Sequence, residues 1–193
     1  IPSVTTAQNN NQYRCVVTGT CGTATSSAAT LQVSANITIS TQPVSQTVCE
    51  ATNISFASGA AGSGITYQWQ VSSNGGTTWT NLSDSPFTYG GSTTNSLTVI
   101  NPQASQDNYQ YRVIVSGTCA PSVTSSAVTM RISTPPTITS VTTSPAVPTI
   151  CQGTNISFTV VAAGSPIAPT IYQWQVSTNS GATWTNLTTG GSY

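Results

Sequence analysis

Short runs in which apolar and polar residues alternate recur along the whole chain. The run Ile65–Ser72 (ITYQWQVS) places Ile, Tyr, Trp and Val on one face, and Thr and Gln on the other. The run Ser126–Ser133 alternates in the same way, and turn-forming residues separate such runs, as at Asn74–Gly76 and Asn101–Pro102. A period of two is typical of a half-buried β-strand, and no window has a sustained helical period. The pattern therefore predicts an all-β protein.

Three blocks of sequence occur twice at nearly constant spacing. In the order of their first copies, they pair Gln12–Cys21 with Gln110–Cys119, Val48–Phe56 with Ile150–Phe158, and Tyr67–Leu82 with Tyr172–Leu187. The offsets are 98, 102 and 105 residues. The third offset exceeds the second by three residues, which indicates an insertion near residues 165–170. The repeating unit is thus about 100 residues, the size of one β-sandwich.

The repeats divide the chain into one whole unit and two partial ones. We expect residues 1–34 to be the C-terminal half of a domain (strands E–G) and residues 35–133 a complete domain. Residues 134–193 then form the N-terminal half of a third domain (strands A–C′). Two open half-sandwiches would expose unpaired strand edges and half a core, which isolated domains avoid. The pattern therefore predicts a long tandem array, or subunits that complete each other's sandwich head to tail.

The repeated blocks resemble the immunoglobulin-like domain in its tandem form on large surface proteins of bacteria, especially gliding Bacteroidetes. Trp69 and its copy Trp174 look like the core tryptophan of strand C, and Tyr111 looks like the tyrosine corner before strand F. Valine at position 113 departs from the family pattern, which has a disulfide cysteine there. The earlier copy keeps Tyr13 and Cys15, but Asn9 replaces the acid. The resemblance implies tandem immunoglobulin-like β-sandwiches, with a fibronectin-type sandwich as the nearest competitor.

Four of the five cysteines occupy two repeated positions. Cys49 and Cys151 precede strand B, and Cys21 and Cys119 lie in the turn between strands F and G. In the resembled fold these positions are at opposite ends of a sandwich, roughly 20–26 Å apart, whereas a disulfide needs Cα atoms within about 7 Å. We therefore expect disulfides between successive domains or neighbouring chains; free thiols, or pairing within one domain, are the alternative. Cys15 is expected to be a buried core thiol.

Charged residues make up only 3% of the chain, with three arginines, three acids, no lysine and no histidine. The sequence has no basic patch for nucleic acid and no zinc-ligand spacing, and no run long and apolar enough to span a membrane. It also offers no activated nucleophile or general base, so we expect a non-catalytic protein without a cofactor or metal. The many hydroxyl residues and the cysteines indicate an extracellular setting, at the cell surface or secreted.

Two functions fit this sequence. The first is a structural repeat of an extracellular filament or adhesin stalk, a stiff spacer whose partners are neighbouring copies of itself. The second is an adhesive module that binds glycans or surfaces through exposed aromatic side chains. Trp79 and Trp184 are the candidates for such contacts because they follow the Asn-Gly-Gly and Asn-Ser-Gly turns. The alternative places both of them on a strand edge, where they cap the sandwich.

Overall fold

A computed structural model describes residues 1–146, 149–164 and 171–188. The described residues form strands and two short 3-10 helices, Thr6–Gln8 and Ala104–Gln106, with no α-helix among them. The chain divides into two compact units, Ile1–Ile132 and Ser133–Tyr193, and each is described by itself. The all-β prediction is confirmed.

The first unit contains fifteen strands in its described residues. In the first 34 residues they are β1 (Gln12–Tyr13), β2 (Val16–Gly19), β3 (Gly22–Thr25) and β4 (Ala29–Thr30). Those that follow are β5 (Thr38–Thr41), β6 (Gln46–Cys49), β7 (Ile54–Ala57), β8 (Gly59–Ala61), β9 (Thr66–Ser72), β10 (Thr80–Asn81), β11 (Tyr89–Gly90), β12 (Ser96–Val99), β13 (Gln110–Ser116), β14 (Val123–Thr124) and β15 (Val128–Ser133).

The strands from β5 onward form two facing sets. One sheet has the order β10-β9-β13-β15-β6, with β14 also paired to β13, and the other has the order β11-β12-β7. β5 pairs with β8, and β8 follows β7 in the chain after a single residue, Ser58. In immunoglobulin letters these are the strands C′-C-F-G-A′ facing D-E-B, with A beside B. The strand order thus confirms the predicted immunoglobulin-like sandwich.

The core of this sandwich lies between the two sheets. β13 buries every second residue, because Tyr111, Val113 and Val115 face inward while their neighbours are half-buried. β9 lies antiparallel to it with Val113 opposite Trp69, and Trp69 is fully buried. The opposing sheet contributes further buried side chains, among them Phe56, Leu97 and Val99. The Tyr111 ring stacks on Phe56 with 5.2 Å between ring centroids.

The second unit contains four strands in its described residues. They are β16 (Thr137–Ser144), β17 (Ser157–Ala163), β18 (Gln175–Val176) and β19 (Thr185–Asn186). β16 pairs with β17 and β18 pairs with β19, both antiparallel. By sequence position these strands correspond to A, B, C and C′ of the complete sandwich. The insertion expected near residues 165–170 lies outside the described residues.

The strands of residues 1–34 differ from the expectation of strands E–G. The first strand is β1 at Gln12, which corresponds to strand F, and no strand precedes it. In the sandwich of residues 35–132, strand E is β12 and pairs with strand B, β7. The offset of 98 residues matches Val99, the last residue of β12, to Ile1, so the rest of strand E has no counterpart in residues 1–34. The segment is therefore an F–G ribbon, and strand E is corrected.

Candidate functional site

The junction of strands C and F in the complete sandwich carries a cluster of polar and aromatic side chains. Arg112 on β13 lies opposite Gln70 on β9, and its Nε donates a hydrogen bond of 2.7 Å to Gln70 Oε1. The same guanidinium lies over the Trp79 ring, 4.1 Å from the centroid, which is cation–π geometry. Gln70 Nε2 in turn donates to Asn81 Oδ1 at 2.8 Å. Arg112 therefore ties strand F to strands C and C′.

A hydrogen-bonded turn holds Trp79 in place beside this cluster. Ser72 Oγ lies 2.9 Å from Asn74 Oδ1, which accepts the Thr78 amide at 3.0 Å. Gly76 donates its amide to Ser72 Oγ, and its carbonyl accepts the Trp79 indole N–H at 3.0 Å. One face of the indole thus packs against Arg112, and its only polar atom is already used. Trp79 is half-buried and directly precedes β10, the edge strand of this sheet.

Residues 171–188 reproduce this framework without strand F. Ser177, Asn179 and Thr183 repeat the turn contacts at 2.8–3.0 Å, and Gln175 Nε2 donates to Asn186 Oδ1 at 2.8 Å. The Leu187 amide bonds to the Trp174 carbonyl, just as the Leu82 amide bonds to that of Trp69. Of the counterpart of strand C, only Gln175–Val176 is a strand here, whereas β9 spans seven residues. Strand F, which pairs with β9 in the complete sandwich, has no counterpart among the described residues of the second unit.

Residues 1–34 reproduce the complementary part of the framework. The Cys15 amide donates to Ser26 Oγ at 3.0 Å, as the Val113 amide donates to Ser125 Oγ at the same distance. The Val33 amide donates to Asn9 Oδ1 at 2.8 Å, as the Ile132 amide donates to Asp107 Oδ1 at 2.7 Å. Asparagine therefore performs the hydrogen-bonding role of the aspartate. The F–G ribbon has the same local structure in both copies.

Identical side chains are buried in the complete sandwich and exposed in the partial ones. The exposed fraction rises from 0% at Trp69 to 41% at Trp174, from 0% at Phe56 to 57% at Phe158, and from 0% at Tyr111 to 40% at Tyr13. Trp184 is 60% exposed and Cys15 is exposed. The expectation that Tyr13, Cys15 and Trp174 are core residues therefore fails for these segments. The reason is that each partial segment lacks strands that cover these side chains in the complete sandwich.

An apolar groove lies beside the exposed tryptophan of the second unit. It has a volume of about 410 Å³ and is lined by strands A and B and by the segment before β18, with Ile138, Val141, Val160, Ile171 and Trp174 among its walls. Phe158 lies against Trp174, with 6.3 Å between ring centroids. In the complete sandwich, the space beside Phe56 and Trp69 is filled by Tyr111 and Val113 from strand F. The groove is thus the open core of this half-sandwich.

The cysteines are free thiols, and the two in the complete sandwich lie apart, with Cys49 at the end of β6 and Cys119 in the loop after β13. The turn after Cys49 contacts the segment between strands E and F, since Glu50 Oε1 accepts the Ala104 amide. Cys119 follows the other end of β13, and its thiol donates to the Ser34 carbonyl at 3.4 Å. β13 is seven residues long, so the turns are separated by roughly 20 Å along the strand direction. Pairing within the domain does not fit this arrangement.

The aspartates in the described residues serve as hydrogen-bond acceptors for the backbone. Asp84 accepts the Ser92 amide at 2.6 Å, and hydrogen bonds from Ser92 hold the pKa of Asp84 below its usual value. At Asp107, burial raises the pKa, but this is outweighed by the Ile132 amide and by Arg131, whose Nε is 3.1 Å from the carboxylate. The net pKa of Asp107 is therefore lowered. Both acids stabilise turns and strand ends.

Tyr111 occupies the position of the tyrosine corner but lacks its hydrogen bond. The ring is fully buried, yet its hydroxyl has no hydrogen-bond partner within the described parts of the chain. Tyr89 meets the ring edge-on, with 6.4 Å between centroids. Only the packing role of a tyrosine corner is present here. Burial raises the pKa of Tyr111 well above its usual range, because ionisation would leave a charge in the core.

The raised pKa of Tyr111 predicts a loss of stability in alkali. The unfolded chain releases the phenol proton near pH 10 while the folded domain keeps it, so stability is complete below pH 10 and falls above it. We expect the free energy of unfolding to drop by about 1.4 kcal/mol per pH unit above pH 10 from this residue alone. Urea unfolding between pH 8 and pH 12 measures the slope. Tyr111→Phe should reduce it and leave stability at pH 7 equal or higher, and an unchanged slope would contradict this account.

Sequence reasoning missed the cluster of Arg112, Gln70 and Trp79. Its signal was present, because two of the three arginines, Arg14 and Arg112, each follow a Gln-Tyr pair in the repeated block. A residue type this rare in the chain, repeated at one position, indicates a specific partner. The alternation of the sequence shows only that Arg112 lies on the outer face of strand F.

Within the described ranges, no group of His, Cys, Asp or Glu side chains is arranged to hold a metal ion. The helical segments there are all too short and too polar to traverse a lipid bilayer.

Fold and strand order define the protein as one built from immunoglobulin-like sandwiches. The family model described as "Domain of unknown function (DUF8696)" matches residues 37–134, just over half of the chain, and the chain belongs to that family. No curated protein sequence matches the chain.

Several solved structures of immunoglobulin domains are similar to parts of the chain. The extracellular domains 3–5 of Drosophila OTK match with a TM-score of 0.46 and 19% identity, covering 63% of this chain and 39% of that one. Sidekick-1 immunoglobulin domains 1–5 match with a TM-score of 0.43 and 13% identity, covering 65% and 26%. DIP-gamma matches with a TM-score of 0.41 and 14% identity, covering 65% and 60%. The chain spans less than two thirds of each.

Proposed function

We propose that the chain is a non-catalytic structural repeat of an extracellular filament or adhesin stalk, where successive sandwiches act as a stiff spacer. The observation that carries this proposal is the exact recurrence of framework contacts. The Ser-Asn-Thr turn, the Gln–Asn bond and the strand F backbone contacts are each made twice, with distances within about 0.2 Å. Recurrence of the same framework in each copy is typical of an array of like domains.

The adhesive alternative depends on free aromatic rings. Trp79 has one ring face against Arg112 and its indole N–H bonded to Gly76, which leaves little of it for stacking on a sugar. Trp184 is 60% exposed and has no such cover among the described residues, but its sequence position is that of Trp79. These contacts support a spacer over a glycan-binding module. A cell-surface or secreted location belongs to the same proposal.

The junction between the repeats supports stiffness. Strand G of the complete sandwich, β15, ends at Ser133, and strand A of the next segment, β16, begins at Thr137. Pro135 and Pro136 lie between them, and prolines favour an extended and semi-rigid backbone. A spacer needs such short connections because a long flexible linker would not hold successive domains at a fixed distance.

Small-angle X-ray scattering of the full chain tests the spacer. We expect a radius of gyration well above the value of about 16 Å for a compact domain of this length. The net charge is zero and charged residues are 3% of the chain, so there are few charges for salt to screen. The radius of gyration should therefore be the same at about 50 mM and about 500 mM salt. Replacing Pro135 and Pro136 with glycine should broaden the distribution of distances. A compact particle would overturn the proposal.

Disulfides between successive domains are the second part of this proposal. Two thiols lose two protons and two electrons, which a small extracellular disulfide such as oxidised glutathione takes up as it becomes two thiols. We expect peptide mapping without reduction, after such treatment, to recover Cys49 linked to Cys21 and Cys119 linked to Cys151 from neighbouring chains. Recovery of a Cys49–Cys119 peptide instead would contradict the inter-domain arrangement.

A further inference from the structure

We propose that the open edge at residues 171–177 and the groove beside it bind the F–G ribbon, residues 1–34, of a second copy of this chain. The ribbon would add its strand F antiparallel to strand C and so fill the open core. The inference deepens the proposed function, because it names how one spacer subunit joins the next.

The complete sandwich supplies the register for this pairing. There, Tyr111 lies opposite Val71, Arg112 opposite Gln70 and Val113 opposite Trp69. The sequence offsets of 98 residues for strand F and 105 for strand C carry these pairs over to the partial segments. Tyr13 would therefore lie opposite Val176, Arg14 opposite Gln175, and Cys15 opposite Trp174. Each of these residues is present in the chain.

Apolar surface is exposed on both sides of the proposed interface. The ribbon presents Tyr13 and Val17, exposed by 40% and 64%, at positions where Tyr111 and Val115 are fully buried. The groove presents Phe158 and Trp174, whose counterparts Phe56 and Trp69 are also fully buried. The stacking of Tyr111 on Phe56 predicts that Tyr13 of the second copy stacks on Phe158. Exposed apolar surface of this kind is typical of an interaction site.

The polar contacts across the interface are complementary as well. Gln175 Nε2 is held by Asn186, which leaves Oε1 in the position where Gln70 accepts Arg112. Arg14 would donate to that oxygen and place its guanidinium over the Trp184 ring, as Arg112 does over Trp79. The only cation of the ribbon thus meets an amide acceptor and an exposed indole. This pairing selects an F–G ribbon of the same repeat over an unrelated β-strand.

Two segments of the second unit are not strands although their counterparts in the complete sandwich are. Both observations are consistent with the absence of the F–G ribbon from this unit. Strand A′ of the complete sandwich, β6, pairs with strand G, β15. The equivalent residues 149–151 are not a strand, and neither are residues 171–174, which correspond to the first part of β9. Both segments would pair with the ribbon, one with strand G and one with strand F. Residues 1–34 contain no strand E, so the proposal concerns these two contacts alone.

A register-specific cross-link tests the pairing in the full chain. With the other four cysteines replaced by serine, Trp174→Cys places a thiol directly opposite Cys15, where Cβ atoms of facing residues lie about 4.5–5.5 Å apart. Diamide oxidises the two thiols to a disulfide and is itself reduced to the hydrazine. We expect a ladder of covalent oligomers from this variant. Gln173→Cys, which faces the opposite side of the strand, is the matched control and should give at least tenfold less.

Sedimentation equilibrium of the otherwise native chain provides a second test that needs no cross-link. Val17 and Val44 are both exposed valines, but only Val17 lies on the proposed interface. Val17→Asp should weaken self-association at least tenfold, and Val44→Asp should leave it unchanged. Chains that stay monomeric at all concentrations, or equal effects of the two variants, would overturn the pairing. An extended monomer would leave the spacer proposal intact, whereas a compact particle that still cross-links would overturn only the spacer.

Discussion

Trp69→Ala is expected to destabilise the sandwich of residues 35–132 by about 3–5 kcal/mol, a large part of the stability of an ordinary domain. The side chain is fully buried, and its indole N–H donates to the Thr94 carbonyl at 2.9 Å. Alanine would leave a cavity between the two sheets and an unpaired carbonyl. Urea unfolding followed by circular dichroism measures the loss, since the signal does not depend on the tryptophan that is removed.

The repeat provides a matched control for this change. Trp174 is the same residue in the same local framework but is 41% exposed and lies in the second unit. Trp174→Ala should leave the unfolding transition of the complete sandwich within about 0.5 kcal/mol of its original value, as is usual for changes away from a core. Equal losses from the two variants would show that burial does not determine the effect.

Gly91→Ala is expected to cost about 3 kcal/mol or more, because two unfavourable effects add. The backbone at Gly91 has a φ of +76°, which side-chain-bearing residues rarely adopt. A Cβ atom there would also collide with the Ser96 carbonyl oxygen, part of the backbone that leads into strand E. This turn holds Trp69, whose amide donates to the Ser92 carbonyl at 2.9 Å. The same urea unfolding experiment measures the change.

Gly75 separates the two effects. Its φ is +68°, close to that of Gly91, but a Cβ atom there would meet nothing within 4 Å. Gly75→Ala should therefore cost only the conformational term, about 1 kcal/mol. If the two variants were equally destabilised, the collision with Ser96 would not be the cause.

The periodicity of the sequence was enough to predict an all-β chain, and the resemblance of the repeated blocks supplied the immunoglobulin-like sandwich. That resemblance also placed Trp69 and Tyr111 in the core, and the structure buries both. Burial of Tyr13 and Trp174 could not be judged from the pattern, since alternation shows which face a residue occupies but not what covers that face. The Arg112 cluster was missed for the related reason that it lies on the outer face, where alternation predicts only solvent.

Turn chemistry was predictable where glycine follows asparagine, and less so elsewhere. The Asn74–Gly76 turn appears as expected, with both glycines at positive φ. The hydrogen bonds from Ser72 and Thr78 to Asn74 are local as well, since each joins residues at most four positions apart. The contact of Trp79 with Arg112 depends instead on pairing across the sheet and cannot be read from a local window.

The strand order also has a consequence for the sequence of events during folding. Strand C of the complete sandwich, β9, pairs on one side with β10, which follows it closely, but on the other with β13, which begins 38 residues after β9 ends. A chain that emerges from its N-terminus can form the C–C′ hairpin early, yet it cannot close the sandwich until strands F and G have emerged. The long loops that must close make this the slow step. Each domain in such an array would therefore stay open on one side until about the last quarter of its own sequence has emerged.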